Sequence, residues 1–292
     1  MFKKIILDII KISTAVLIFT GCGDISNTGE NTVGNNFVKA LEIDDKDAAT
    51  NLGFVKAFGI DTNATTAFGY KVYKINYKTK DEFDAEVEAS GALVVPTITQ
   101  AFLDAYKQAY KKDFSISLIA ENHGTIFENK EAPTNEINTT ASSSHVLAVL
   151  MTAKAGFAVA MPDYLGYGVS NDNYHPYILK KSSAKVSIDM LRASTKFMID
   201  NGILFNGQVY ISGYSEGGYV AMAMAQEIEK NYSSDFKLKG VAPMAGPYDV
   251  SSLGKKEIKS TSKMQYPAFL AYLTNSYTKT YDDLDLSETI NR

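Results

Sequence analysis

Short apolar runs alternate with longer helical patterns through most of this 292-residue chain. The apolar runs span 115–120, 157–161, 208–212 and 238–244, and the helical patterns between them span 141–154, 183–201 and 218–230. Alternation of this kind is typical of parallel strands joined by helices, and strands that are covered on both faces read as nearly continuous apolar runs. The pattern therefore predicts an α/β fold with a mostly parallel sheet and helices on both faces.

A different pattern precedes these runs. From Gly69 onward the residues alternate between two faces through 70–77, and a second extended run at 90–95 ends at Pro96. Two-residue periodicity indicates strands with one face exposed. We expect an antiparallel hairpin at the N-terminal edge of the sheet.

One apolar run leads directly into Gly213-Tyr214-Ser215-Glu216-Gly217, and a helical pattern follows at once. This G-x-S-x-G arrangement between a strand and a helix is that of a nucleophile elbow, in which a tight turn lifts the serine hydroxyl above the sheet. Gly213 and Gly217 supply the clearance that such a turn needs. The backbone N–H of Glu216 would then stand at a helix N-terminus, where it can stabilise an oxyanion. The alternative is a glycine-rich turn with an incidental serine.

A second oxyanion donor is expected in a loop after an earlier strand, and the sequence places Asn122-His123-Gly124-Thr125 there, after the run SISLIA. The backbone amides of His123, Gly124 and Thr125 are the candidates. The alternative is a turn in which His123 forms only a local hydrogen bond.

Two further residues are ambiguous. Asp163 follows the strand FAVAM and precedes a turn with two glycines, so we interpret it as a structural carboxylate that caps this turn. His175 precedes Pro176, which disfavours helical geometry, so we predict a loop position for His175.

The N-terminus has a basic start, an apolar stretch and then Thr20-Gly21-Cys22. This resembles a bacterial lipoprotein signal, which implies cleavage before Cys22, lipidation of this cysteine and a lipid-anchored place in the cell envelope. The alternative is a transmembrane anchor, but the apolar stretch is shorter than the roughly 20 residues that span a bilayer. Residues 1–22 are thus predicted to be the signal and 23–45 a flexible tether, since 23–37 are rich in polar residues and glycine.

Composition argues against nucleic-acid binding and against a zinc site. The formal charge of −4 offers no broad basic surface for nucleic acid, and Cys22 is the single cysteine, so that zinc-type cysteine spacing is absent. No metal or organic cofactor is implied by the residue patterns.

Three segments together resemble the secretory-lipase family of α/β hydrolases: GYSEGG, ENHGT and PDYLGYGVSNDNYHPYILKKSSAKVSIDMLRA. The resemblance extends from about Val72 to the end of the chain. It implies an α/β-hydrolase domain over 46–292, with Ser215 as nucleophile, oxyanion donors at Glu216 and in 123–125, and ester or acylglycerol substrates. Residues 263–292 are interpreted as the start of a cap that contacts acyl chains or, alternatively, as a core helix. GYSEGGY also resembles the elbow of prolyl-oligopeptidase-like enzymes, which makes a serine peptidase the alternative enzyme class.

The chain departs from the family at the catalytic base. All three histidines (His123, His145 and His175) precede Ser215, whereas the family places an Asp and then a His after it. We expect a C-terminally incomplete version of a longer enzyme. The alternatives are a non-catalytic binding protein with the same fold, or an enzyme with an unconventional base such as His175 or with a base donated by another subunit.

Overall fold

A computed structural model describes residues 36–57, 68–137, 146, 148, 151–152, 156–259 and 267–283. All of these residues fall in one compact unit, Val33–Arg292. The lipoprotein signal, Cys22 and tether residues 23–35 lie outside the described residues, as does most of the helix predicted over 141–154.

A seven-stranded sheet forms the centre of this unit, with the strand order β1-β2-β3-β5-β4-β6-β7. The strands are β1 (Phe37–Lys46), β2 (Gly69–Lys80), β3 (Glu86–Thr97), β4 (Ile116–Asn122), β5 (Ala158–Pro162), β6 (Phe205–Tyr214) and β7 (Lys237–Met244). Neighbouring strands among β5, β4, β6 and β7 are parallel. The prediction of four parallel strands in an α/β fold is confirmed.

The hairpin is also confirmed, because β2 and β3 pair antiparallel without interruption from Gly69 opposite Thr97 to Lys80 opposite Glu86. Its predicted place at the sheet edge is wrong. Strand β1 pairs antiparallel with the outer side of β2, so residues 37–45 belong to the sheet rather than to a flexible tether. The pairing satisfies backbone groups of β2 that would otherwise lie at an open edge.

Helices cover the sheet and extend beyond its carboxyl edge. They are α1 (Ala48–Ala57), α2 (Gln100–Tyr110), α3 (Pro133–Glu136), α4 (Lys180–Asp200), α5 (Glu216–Asn231), α6 (Val250–Lys259) and α7 (Pro267–Thr280). Helices α4 and α5 confirm the helical patterns predicted at 183–201 and 218–230. Both contribute to the main apolar core, α4 through Val186, Met190 and Leu191 and α5 through Val220 and Met224.

The parallel strands determine where a site can form. In an open α/β sheet, ligands bind beyond the carboxyl ends of the strands, where loops from neighbouring strands meet. Strand β4 ends at Asn122 and β6 at Tyr214, and these two strands are direct neighbours in the sheet. The fold thus brings the 123–125 loop and the Gly213–Gly217 turn to the same edge.

Candidate active site

Ser215 stands in a strained backbone conformation between β6 and α5. Its φ is 59° and its ψ is −121°, a region that L-amino acids rarely adopt. Its backbone N–H donates to the carbonyl oxygen of Met244 at the end of β7, at 2.9 Å. Strain of this kind is stored at functional sites, and a sharp strand-to-helix turn is how a nucleophilic serine is presented.

Gly213 and Gly217 allow this turn. A Cβ on Gly213 would overlap the carbonyl oxygen of Gly217, and a Cβ on Gly217 would overlap that of Asn122. At these two positions only glycine allows α5 to lie so close to the end of β4.

Two sets of backbone amides lie around Ser215. Glu216 is the first residue of α5, so its N–H has no acceptor within the helix, and the Ser215 hydroxyl does not cap this helix. The loop after β4 lies beside the same turn, because a Cβ on Gly124 would stand 3.6 Å from the Cβ of Ser215. The Thr125 hydroxyl is 3.0 Å from that of Tyr177. The structure thus brings Ser215, Glu216 and the 123–125 loop together, as the sequence predicts.

His123 forms a local hydrogen bond and a ring stack. Its Nδ1 lies 2.8 Å from the carbonyl oxygen of Gly124 and its Nε2 lies 3.4 Å from that of Asp163. The ring stacks on Tyr164 at a centroid distance of 4.1 Å. Burial lowers the pKa of His123, although the nearby Glu216 opposes this shift. A neutral imidazole with Nδ1 as donor fits this environment.

His175 lies in a loop, as predicted, but no sequence pattern predicts its partner. Its Nε2 is 2.7 Å from the Glu216 carboxylate and its Nδ1 is 2.9 Å from the carbonyl oxygen of Leu165. Both ring nitrogens are therefore occupied by groups other than the Ser215 hydroxyl. This arrangement contradicts His175 as the base for Ser215. His145 lies outside the described residues.

Asp163 is a structural carboxylate, as predicted. It is completely buried and accepts hydrogen bonds from the backbone N–H of Thr134 at 2.9 Å, from the Thr134 hydroxyl at 2.7 Å and from the Ser90 hydroxyl at 2.5 Å. It thereby joins β3, α3 and the loop after β5.

A pocket of about 330 Å³ opens beside His175, between the loops after β4 and β5 and helix α7. The residues that line it are mainly aromatic or carry amide groups, and they include Phe127, Asn129, Tyr167, Tyr174, Tyr272 and Asn275. Helix α7 contacts these loops through the Tyr167 and Tyr272 hydroxyls, 3.0 Å apart, and through the stacked rings of Phe127 and Phe269. Ser276 is the buried residue of α7, so the alternative of a core helix is wrong for Pro267–Thr280, the helix that the structure describes within 263–292.

Neither a metal centre nor a membrane span is found in the described part of the chain. No group of three or more potential ligands lies together among those residues, and none of their helices is both long and apolar enough to cross a bilayer.

Comparison with known structures identifies the same fold. A candidate hydrolase from Legionella pneumophila has a TM-score of 0.73 and 25% identity over 86% of this chain and 62% of its own. The rice cell wall degrading esterase LipA from Xanthomonas oryzae has a TM-score of 0.69 and 24% identity over 86% of this chain and 61% of its own. Candida antarctica lipase A has a TM-score of 0.54 and 12% identity over 88% of this chain and 51% of its own. This chain thus spans about three fifths of the first two structures, and all three share the α/β-hydrolase fold.

A search of curated protein sequences found no match. The Secretory lipase family model matches residues 131–290, which is more than half of the 292-residue chain and includes the Ser215 turn. The chain therefore belongs to the secretory lipase family.

Proposed function

We propose that this protein is a serine hydrolase of carboxylic esters with Ser215 as its nucleophile. The observation that carries the proposal is the backbone of Ser215, with φ at 59° between a parallel strand and a helix N-terminus. Positive φ at a residue with a side chain is costly, and it persists where the exposed nucleophile gives a benefit. Family membership and the esterase and lipase among the structural neighbours support the ester-hydrolase class.

The proposed reaction is acyl transfer to water. The Ser215 Oγ attacks the carbonyl carbon of the ester, and the carbonyl oxygen becomes an oxyanion in the tetrahedral intermediate. The backbone N–H of Glu216 and an amide of residues 123–125 would donate hydrogen bonds to this oxyanion. Collapse of the intermediate releases the alcohol and leaves an acyl-serine ester, which water then hydrolyses.

A base must accept the Ser215 proton in this scheme. His123 and His175 direct their nitrogens to other groups, and residues 216–292 contain no histidine. We propose that the base comes from polypeptide other than the described residues. Without it, oxyanion and binding contributions alone leave an acceleration of order 10³ to 10⁴.

The occupied histidines also support a second candidate function. A protein of this fold with no base available to Ser215 would bind an ester in its pocket without cleaving it. Binding of an ester without turnover and without labelling of Ser215 would favour this reading over the enzyme.

The test is covalent labelling of Ser215 together with ester hydrolysis. We expect a fluorophosphonate probe to modify Ser215 slowly, and p-nitrophenyl butyrate to be hydrolysed slowly above the uncatalysed rate. Ser215→Ala should abolish both reactions, whereas Ser233→Ala, at an exposed turn, should change neither. Labelling of another residue, or hydrolysis that survives Ser215→Ala, would exclude Ser215 as the nucleophile.

Family membership indicates export, and we further propose that Cys22 carries a lipid anchor in a bacterial cell envelope. The support is the Thr20-Gly21-Cys22 sequence after an apolar stretch. In a bacterial host, the protein should partition into the detergent phase of Triton X-114, and Cys22→Ala should move it to the aqueous phase. Detergent partition that Cys22→Ala leaves unchanged would contradict the anchor.

A further inference from the structure

His175 and Glu216 form a buried pair directly beside the proposed nucleophile. Their Nε2 and Oε1 atoms are 2.7 Å apart, and the side chains are 8% and 2% exposed. Glu216 adjoins Ser215 in the chain, while His175 comes from the loop after β5. The contact thus ties the pocket wall to the turn that carries Ser215.

Hydrogen-bond geometry limits the protonation states that this histidine can have. Its Nε2 faces a carboxylate oxygen, and its Nδ1 faces the carbonyl oxygen of Leu165 at 2.9 Å. The Leu165 carbonyl oxygen is an acceptor, which places a proton on Nδ1, whereas the Glu216 carboxyl group accepts from Nε2 when it is ionised and donates to Nε2 when it is protonated. The 2.7 Å contact has the length of a charge-assisted N–H···O bond, in which His175 is the cation and Glu216 the anion.

Among the described residues, aromatic rings surround this pair. Rings of Tyr164, Tyr167, Tyr177 and Tyr272 lie 5.0 to 6.0 Å from the His175 ring. Burial raises the pKa of Tyr164, Tyr167 and Tyr177, which keeps these phenols neutral. His123, whose pKa is lowered mainly by burial, also interacts with Glu216.

An unpaired carboxylate at position 216 would oppose catalysis. The intermediate places negative charge next to the Glu216 N–H, and a like charge on the same residue would repel it in a site of low dielectric. A cation on this carboxylate removes the repulsion and fixes the first residue of α5.

We propose that His175 is a positioning residue, protonated on both ring nitrogens, that holds and neutralises the Glu216 carboxylate so that it does not oppose the oxyanion formed at Ser215. This inference rests on the proposed ester hydrolysis.

The charge state of His175 can be measured by NMR, whether or not the protein hydrolyses esters. In ¹⁵N-labelled protein, long-range ¹H–¹⁵N spectra should show protons on both nitrogens of His175 at neutral pH, with His175→Gln identifying its signals. In Glu216→Gln the introduced amide can donate to Nε2, so His175 should become neutral with its proton on Nδ1. A single protonated nitrogen in the unmodified protein would overturn the proposal.

The effect of the pair on catalysis can be tested by asking whether a second substitution restores the ester hydrolysis that the first one slows. His175→Gln leaves the carboxylate unpaired, and we expect kcat for p-nitrophenyl butyrate to fall about tenfold, equivalent to about 1.4 kcal/mol, with KM nearly unchanged. Adding Glu216→Gln to this variant should restore most of the loss, which a purely structural role would not produce. Lys181→Gln breaks an exposed ion pair with Asp84 and serves as the control without effect.

A double variant as slow as His175→Gln alone would overturn the proposal. If the unmodified chain shows neither ester hydrolysis nor Ser215 labelling, the proposed function fails, and the nitrogen signals still decide whether the pair is charged.

Discussion

The backbone of Gly217, near the start of α5, lies directly against the carbonyl oxygen of Asn122, the last residue of β4. The contact joins the helix that begins after Ser215 to the strand that leads into the 123–125 loop. Backbone packing at this contact therefore sets how closely the start of α5 approaches the 123–125 loop, the two places that hold the proposed oxyanion donors.

Gly217→Ala should disrupt this contact. The added methyl group would overlap backbone atoms that cannot move alone, so we expect a loss of about 2–3 kcal/mol in the free energy of unfolding and a loss of Ser215 labelling. Urea denaturation and fluorophosphonate labelling would measure the two effects.

Gly254→Ala is the matched control, because nothing lies within 4 Å of a Cβ at this position of α6. It should leave labelling unchanged and stabilise the protein by about 0.5–1 kcal/mol, since alanine is the better helix former. Equal losses in the two variants would contradict a steric role for Gly217.

Ser215→Gly should stabilise the fold while it removes the nucleophile. The φ of 59° at Ser215 is strained for serine, whereas glycine adopts such a conformation without strain. Relief of strain of this kind amounts to about 1–3 kcal/mol, reduced by the greater entropy of glycine in the unfolded chain. We expect a raised Tm for Ser215→Gly relative to Ser215→Ala, and an equal or lower Tm would show that the turn is not strained.

Asp163→Asn should destabilise the protein. The carboxylate accepts from the Thr134 amide, the Thr134 hydroxyl and the Ser90 hydroxyl, and an amide group in its place would face some of these donors with its own N–H groups. Loss of charged hydrogen bonds at a buried site costs about 3 kcal/mol. Chemical denaturation would measure it, with exposed Asp172→Asn as a control that should change stability by less than about 0.5 kcal/mol.

Local patterns in the sequence predicted the parallel strands, the hairpin and the Ser215 turn, because each depends on residues that are close in the chain. Strand β1 escaped prediction. Its sequence FVKALEIDDK carries five charged residues, and as an edge strand it depends on pairing with β2 rather than on burial of its own side chains.

The contact between His175 and Glu216 could not be predicted for a related reason. The two residues are 41 positions apart, and neither sits in a pattern that marks it as a partner of the other. Only the parallel order of β5, β4 and β6 brings the loop after β5 over the start of α5.

Glu121 should make stability depend on pH. This carboxyl is 5% exposed in β4, next to the Ser212 hydroxyl, which donates to it. Burial raises its pKa to about 7, and the hydrogen bond offsets only part of this shift. Between pH ~4.3 and about 7 the folded state keeps a proton that the unfolded state has lost, so stability should fall as pH rises through this window.

The free energy of unfolding should fall by about 3–4 kcal/mol across this window because of Glu121, since each unit of pKa shift corresponds to about 1.4 kcal/mol. Urea denaturation at intervals from pH 4 to pH 8 would measure it as the difference between the unmodified protein and Glu121→Gln, whose slope should be flatter. Glu86→Gln removes an exposed carboxylate paired with Lys78 and should keep the original slope. Parallel slopes for the unmodified protein and Glu121→Gln would mean that Glu121 is ionised in the folded state at pH 5, because a carboxylate with an ordinary pKa contributes no pH dependence in this range.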